Sequence, residues 1–229
     1  MSHSLNRRIL ELALPAFAAL VAQPLFVMAD TAIVGQLGTV PLAGLGVGST
    51  LTLALVGVFV FLAYGSTATV ARLVGANREK DAAESGVQAM WLALVLGAAV
   101  GVVSWGFAPQ LAAWLGADGA VHDQAVAYLR WSLPGLPGMF LVLAATGTLR
   151  GRADGRTPMI LAIGAAILNL VGDIVLVFGL GMGIAGSGAA TAFAETLMGL
   201  TAAGIVAHSA ARVEVGLRPR LAGMRTSLL

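Results

Sequence analysis

Three carboxylates lie inside long apolar stretches of this chain, where a charged side chain is unexpected. Asp30 is the one charged residue of Leu12–Leu37, and Asp173 and Glu195 stand in two later apolar runs. A charge at the centre of a bilayer costs about 2.5–3.5 kcal/mol on insertion scales. Carboxylates kept at that cost are typical of sites that handle ions or cationic molecules, and this is the chemistry that the three residues predict.

The composition indicates that these residues belong to a membrane protein. Of the 229 residues, 58% are hydrophobic and 10% are charged, whereas soluble domains carry about 25% charged residues. The 30 glycines fit the same class, because glycine lets membrane helices approach closely. The absence of cysteine excludes disulfides, thiolate catalysis and cysteine metal sites.

The apolar runs are long enough to cross a bilayer as helices. About 20 helical residues span the roughly 30 Å of hydrocarbon, and no strand-like alternation is found in the runs. The sequence therefore predicts an all-α integral membrane protein with six transmembrane helices. The predicted spans are approximately Ile9–Gln36, Leu42–Ala71, Ser85–Phe107, Gln124–Leu149, Pro158–Leu180 and Ser187–His208.

The basic residues alternate along the chain in a way that orients the helices. Of the 13 Lys and Arg residues, all but Arg130 fall before the first span or after the second, fourth and sixth. The positive-inside rule then places both termini in the cytoplasm, and we expect a bacterial inner (plasma) membrane. Because topology explains the basic loops, no nucleic-acid partner is expected. A cleaved signal peptide ending near Val27–Ala29 is the alternative for the first run, and the five spans that follow disfavour it.

Four prolines interrupt two of the predicted spans, Pro15 and Pro24 in the first and Pro134 and Pro137 in the fourth. Proline removes a backbone hydrogen bond and kinks a helix. Membrane helices tolerate this where neighbours or a cavity satisfy the freed carbonyl. Transporters use such helices near their sites, and an ordinary static kink is the alternative.

Depth along each span groups the polar residues. At 1.5 Å per residue, five of them fall in the half of the bundle away from the basic loops: Asp30, Tyr128, Asn169, Asp173 and Thr191. Asn169 and Asp173 are four residues apart and share one helix face. Glu195 lies one turn deeper than Thr191. The counts predict a shared polar chamber.

Each of these residues also has a structural alternative. Asn169 and Thr191 can be interhelical hydrogen-bond partners, and Tyr128 can be an interfacial anchor. Glu195 can lie near the surface or in a polar seam. The two aspartates can pair with Arg130, although a long cationic side chain near a helix end more often extends to the interface.

Two carboxylates in one chamber predict cation binding. Asp30 and Asp173 cannot both stay ionised at close range without a compensating positive charge. A proton or a hard monovalent cation would supply that charge, with Asn, Thr and Tyr oxygens completing the shell. Occupancy would change the charge of the helix that carries Asp30, and a kinked helix can respond by bending.

Short motifs, in the same order along almost the whole chain, carry a family resemblance. They are Leu12–Pro15, Gln23–Pro24 and Asp30–Gly38 in the first span, Ala125–Arg130 at the fourth, Arg150–Pro158 in the following loop, Asn169–Asp173 in the fifth and Gly183–Thr191 at the sixth. Together they resemble the multidrug and toxic compound extrusion (MATE) transporters, most closely the DinF-like branch. The Asp-Thr-Ala sequence and the Asn/Asp pair are the specific elements.

The resemblance implies a twelve-helix antiporter of two six-helix lobes, with a cleft that opens to one side at a time. It would export cationic or amphipathic drugs or metabolites in exchange for H⁺ or Na⁺. By matching positions, the implied cation or proton site consists of Asp30, Asn169, Asp173 and Thr191. Pro15 would be the point where the first helix bends, and the substrate cavity would be lined by Gln23 and Tyr128, to which we add Glu195. No cofactor and no resident metal are implied besides the coupling ion, H⁺ or Na⁺.

The chain corresponds to only the first of the two lobes that the resemblance implies. We expect a cytoplasmic N-terminus at 1–8, the six-helix lobe at 9–210 and a cytoplasmic linker at 211–229, truncated before the second lobe. A fragment or a truncated reading frame is favoured over a half-size form that works as a dimer. The expected partners are therefore a small-molecule substrate, membrane lipid, and either the missing C-terminal lobe or a second copy.

Other functions are weighed against the antiporter. A lipid-linked precursor flippase of the same superfamily would need a more cationic cavity. A non-transporting membrane scaffold or subunit would show Asp30 and Asp173 apart, or paired with Arg130. An enzyme is not expected, because the sequence has no His-Glu-x-x-His metal motif and its histidines lie at or outside the ends of spans: His3, His122 and His208.

Overall fold

The computed structural model describes Phe17, Val21 and residues 27–219, and helices dominate this part of the chain. They are α1 (residues 27–35), α2 (Thr39–Val58), α3 (Phe61–Gly75), α4 (Glu79–Gly106), α5 (Ala108–Trp114), α6 (Gly119–Ser132), α7 (Leu136–Gly151), α8 (Arg156–Asp173) and α9 (Ile184–Ala211). A 3₁₀ turn, Leu133–Gly135, joins α6 to α7, and a π-helical segment, Ile174–Gly179, follows α8.

Five helical stretches are long and apolar enough to cross a membrane. They are Thr39–Gly75 (α2 with α3), Glu79–Gly106 (α4), Gly119–Gly151 (α6 with α7), Arg156–Gly179 (α8 with the π segment) and Ile184–Ala211 (α9). These match the second to sixth predicted spans, and α1 is the described part of the first. The predicted all-α membrane fold is confirmed. Pro15, Gln23 and Pro24 lie outside the described residues.

The second span contains an interruption that the sequence did not predict. Between α2 and α3 the backbone tightens into a turn, in which the Phe59 amide donates to the Val56 carbonyl at 3.0 Å. The turn brings the Phe59 ring to 4.9 Å from the Phe140 ring on α7. Aromatic pairs at this separation are favourable, so the interrupted span contributes a ring to the core.

The fourth span is interrupted where prolines were noted. Pro134 has no amide hydrogen, so the carbonyl of Arg130, four residues earlier, loses its helical donor. The indole Nε1 of Trp105 at the end of α4 donates to that carbonyl at 3.0 Å. A neighbouring helix thus satisfies the freed backbone group, as membrane burial requires.

Helix α7 is the centre of the bundle and packs against α3, α4 and α9. Two glycines allow these contacts. A Cβ added to Gly147 would lie 2.9 Å from the Ser66 Cβ on α3, and one added to Gly97 on α4 would lie 2.7 Å from the Pro137 Cα. Any side chain at these positions would push the helices apart. The close backbone approach that stabilises packed membrane helices would then be lost.

The segment after α9 folds back along α4. The Trp91 indole donates to the Leu217 carbonyl at 2.8 Å, and the Gln88 amide donates to the Arg218 carbonyl at 3.1 Å. At the same end of the bundle Arg152 pairs with Glu79 at 3.0 Å. Side chains on α4 therefore hold both a connecting loop and the chain beyond α9.

Candidate cation site

Two buried carboxylates meet between α1 and α8. The side chains of Asp30 and Asp173 are 4% and 0% exposed, and the two carboxyl groups lie close enough to interact directly. Asp173 is the last residue of α8, at the point where the helix changes to π geometry. Such π segments are frequent at functional sites, because they locally change the helical hydrogen-bond pattern.

Ser187 on α9 is the third member of this group. It is fully buried, and its hydroxyl donates to Asp30 Oδ1 at 3.2 Å. The same hydroxyl lies near the Asp173 carboxyl group without hydrogen-bond geometry, and no described residue donates to either Asp173 oxygen. A buried carboxylate without a donor is costly, so this arrangement favours a proton or a bound cation between the two aspartates.

A second set of polar side chains extends the site towards α6. The Asn169 amide on α8 donates to Thr191 Oγ1 on α9 at 3.2 Å, and Tyr128 on α6 lines the same cavity as this threonine. All three residues are buried. The Asn169 side-chain oxygen, like the Asp173 oxygens, has no donor among the described residues. The site thus presents three buried oxygens that a cation could use.

A small cavity opens beside this group. Its volume is about 40 Å³, which is room for a small ion or a few water molecules and far below the roughly 300–1,000 Å³ of pockets for drug-sized ligands. Six of its ten lining residues are polar and none is basic; the polar ones are Asp30, Thr31, Ser49, Thr52, Tyr128 and Thr191.

Tyr128 is held in place by close packing against α2. A Cβ added to Gly48 would lie 3.2 Å from Tyr128 Cε1 and closer still to Cδ1. The ring also packs in a small apolar cluster with Val34, Leu45 and Ile184. The ring therefore packs against α2 and forms one wall of the cavity that Thr191 also lines.

The structure brings together five of the predicted site residues: Asp30, Tyr128, Asn169, Asp173 and Thr191. Glu195 lies one turn further along α9, half-buried, and does not line the cavity. Arg130 forms no ion pair with either aspartate; its guanidinium lies 5.9 Å from the centre of the Trp105 ring. The predictions for Gln23 and Pro15 fall outside the described residues.

Sequence reasoning missed four hydroxyl residues of the site: Thr31, Ser49, Thr52 and Ser187. Ser187, Thr191 and Glu195 are four residues apart in turn, so α9 carries a polar stripe on one face that would have indicated Ser187. Thr31 on α1 and Ser49 and Thr52 on α2 line the cavity. They attract little notice in sequence, because Ser and Thr are common in membrane helices and can bond their own backbone.

These features define an integral membrane protein whose helices enclose an ion-sized carboxylate site. The MatE family model matches residues 15–175, and the chain therefore belongs to this family. The chain is 33% identical over 211 residues to "Protein DETOXIFICATION 44, chloroplastic" of Arabidopsis thaliana. It is also 33% identical over 193 residues to "DNA damage-inducible protein F" of Escherichia coli strain K12.

The chain spans less than half the length of these relatives. The two alignments cover 85% and 84% of this chain but 40% and 42% of the relatives. The fold shows the same relation: the Vibrio cholerae MATE transporter VcmN in its bent form superposes with a TM-score of 0.86 and 24% identity, over 99% of this chain and 52% of that one. The described bundle therefore corresponds to about half of such a transporter.

Proposed function

We propose that this chain forms the N-terminal half of a secondary active antiporter, which exports cationic or amphipathic drugs or metabolites in exchange for H⁺ or Na⁺. The observation that carries the proposal is the buried pair of carboxylates, Asp30 and Asp173, without a basic side chain against them among the described residues. Such a pair is stable with a shared proton or a bound cation, and either can drive exchange.

The oxygens around the pair suit a hard monovalent ion. Asp30 and Asp173 would supply carboxylate oxygens, Asn169 an amide oxygen, and Ser187 and Thr191 hydroxyl oxygens. Hard cations prefer such ligands to nitrogen or sulfur. A proton would use the carboxylates alone, so the same residues serve either coupling ion.

We propose that the organic substrate binds in a cleft that this half completes with a partner. The cavity beside Asp30 is ion-sized, and alternating access uses two bundles that rock around a central site. The partner would be a C-terminal lobe or a second copy of this chain. Glu195, half-buried one turn from Thr191, would face that cleft and meet the positive charge of the substrate.

The arrangement favours the antiporter over the alternatives. A flippase for anionic lipid-linked precursors would need basic groups, and the residues that line the described cavity include none. A scaffold has no use for two carboxylates in contact. We further propose that both termini lie in the cytoplasm of a bacterium, because the basic loops share one end of the bundle.

The direct test measures cation binding to the purified chain. Retention of ²²Na⁺ reports Na⁺, and infrared difference spectra between acidic and alkaline buffer report a protonated carboxyl group. Asp30→Asn and Asp173→Asn should each remove the signal that the unaltered chain gives. Asp123→Asn is the matched control, because Asp123 is exposed and lies beside His122 near the start of α6.

Transport is the second test. Ethidium, an aromatic cation, would be loaded into proteoliposomes that contain the chain together with its partner, a second copy or a C-terminal lobe. Its movement would be followed under an imposed pH or Na⁺ gradient. Asp30→Asn should abolish gradient-driven movement. If that variant retains full cation-driven transport and cation binding, the proposed mechanism is wrong.

A further inference from the structure

A groove on the outside of the bundle shares no lining residue with the cavity beside the carboxylates, and it opens next to an exposed arginine. Its volume is about 290 Å³ and its walls are almost entirely apolar. The residues that shape it are Ala98, Gly101, Val102 and Trp105 on α4 and Pro134 and Pro137 at the break between α6 and α7. Because Pro134 and Pro137 interrupt the helix there, the surface beside α4 forms a groove and not a ridge.

The arginine stands at the mouth of the groove. Arg130 is exposed, and its guanidinium lies 5.9 Å from the centre of the Trp105 ring, which itself lines the groove. The Trp105 indole donates to the Arg130 backbone carbonyl. The Trp105 ring and the Arg130 backbone are thus fixed to each other. The five guanidinium donors of Arg130 remain available to a ligand, because Arg130 has no ion pair among the described residues.

Arg130 lies at the depth in the membrane where the lipid phosphates are expected. Arg130 and Arg150 stand 20 residues apart along α6, the 3₁₀ turn and α7, which is about 30 Å at 1.5 Å per residue. That distance equals the thickness of the hydrocarbon core. Since Arg150 belongs to a basic loop at one interface, Arg130 lies at the other. The groove runs from Arg130 towards the hydrocarbon. Its length is about 10 Å, the distance along α4 from Trp105 to Ala98 at 1.5 Å per residue.

We propose that this groove is a binding site for one anionic phospholipid, with an acyl chain along α4 and the phosphate on Arg130. Charge complementarity selects the occupant. Arginine binds phosphate through paired hydrogen bonds, and basic groups beside apolar pockets between helices favour anionic headgroups. A zwitterionic lipid would fill the same groove with less preference, because its headgroup carries no net negative charge.

Photo-crosslinking of the full chain in lipid nanodiscs tests the site directly. Phosphatidylglycerol or phosphatidylcholine with a diazirine in the acyl chain would be added at equal, low mole fraction, and labelled peptides mapped by mass spectrometry. We expect phosphatidylglycerol to label the peptides that contain Ala98–Trp105 and Leu133–Pro137 about five to ten times more than phosphatidylcholine.

Two matched pairs of variants separate the charge from the groove. Arg130→Gln should reduce the preference for phosphatidylglycerol to about one, whereas Arg150→Gln, which removes an exposed arginine at the other interface, should leave it unchanged. Ala98→Phe should fill the groove and lower labelling by both lipids about fivefold or more. Ala99→Phe should not lower labelling, because Ala99 is also exposed but does not line the groove.

Equal labelling of the groove by both lipids in the unaltered chain would overturn the proposal. So would a preference that survives Arg130→Gln, or one that Ala98→Phe leaves intact, since lipid would then associate without using the groove. Circular dichroism checks that each variant is folded. If Ala98→Phe unfolds the chain, Val102→Phe, at a position 74% exposed on the same groove, replaces it.

Discussion

Substituting Gly48 by Ala should disturb the candidate cation site without changing any residue that contacts the cation. Gly48 lies on α2, and an alanine Cβ there would be closer than 3.0 Å to Tyr128 Cδ1 and 3.2 Å from Cε1. Ordinary contacts begin near 3.4 Å. The ring must therefore move by about half an ångström or more, since an overlap of that size lies on the steep repulsive side of the contact potential.

The expected size of the effect follows from this steric overlap. Extra methyl groups in a well-packed core cost about 1–3 kcal/mol, and Tyr128 cannot escape that cost because it is only 3% exposed. For a chain of this length, a loss of 1–3 kcal/mol lowers the unfolding midpoint by about 2–12 °C.

The measurement is the thermal unfolding midpoint of the purified chain, followed by ²²Na⁺ or proton binding at a temperature where both proteins are folded. Gly46→Ala is the control on the same helix, because nothing lies within 4 Å of a Cβ built there. That variant should be neutral or more stable by about 0.5–1 kcal/mol, since alanine is the better helix former. Cation binding should weaken only in Gly48→Ala.

A compensating variant sharpens the test. Tyr128→Leu removes the ring that an alanine at Gly48 would strike, so Gly48→Ala should cost little in that background. Non-additivity of this kind is expected only for residues in contact. Equal unfolding midpoints and equal cation binding for Gly48→Ala and Gly46→Ala would refute the packing of α2 against Tyr128 as described.

Two further substitutions test hydrogen bonds that cross between helices. Thr191→Val keeps the shape of the side chain but removes the hydroxyl that accepts a hydrogen bond from the buried Asn169 amide on α8. We expect about 1–3 kcal/mol of destabilisation and weaker cation binding. Thr201→Val is the control, because Thr201 is exposed and its hydroxyl bonds only to its own helix; stability and cation binding should both stay unchanged. Trp105→Phe removes the hydrogen bond to the Arg130 carbonyl and should cost about 0.5–1.5 kcal/mol. The loss is measured by thermal unfolding against Trp114→Phe, whose side chain is 79% exposed. Equal midpoints within either pair would contradict the corresponding hydrogen bond.

Arg130 and Ser187 show where sequence reasoning ends. The position of Arg130 near a helix end indicated that it extends to the interface, and its side chain is exposed in the structure. Its position over the Trp105 ring, however, depends on a helix 25 residues away in sequence. Ser187 was visible as one member of a polar stripe on α9. That its hydroxyl donates to Asp30, 157 residues earlier, depends on how α1 and α9 are rotated towards each other.

The sequence by itself determined the membrane class, the five spans that are described in full and the depth of the polar residues. These are properties of single helices: hydrocarbon thickness sets span length, and a fixed rise per residue sets depth. The tertiary structure alone decided which faces meet, and hence the contact of Asp30 with Asp173, the donor role of Ser187 and the ion-sized cavity. It also decided the turn at Phe59 and the groove beside Arg130, because rotation and close approach of helices depend on packing between residues far apart in the chain.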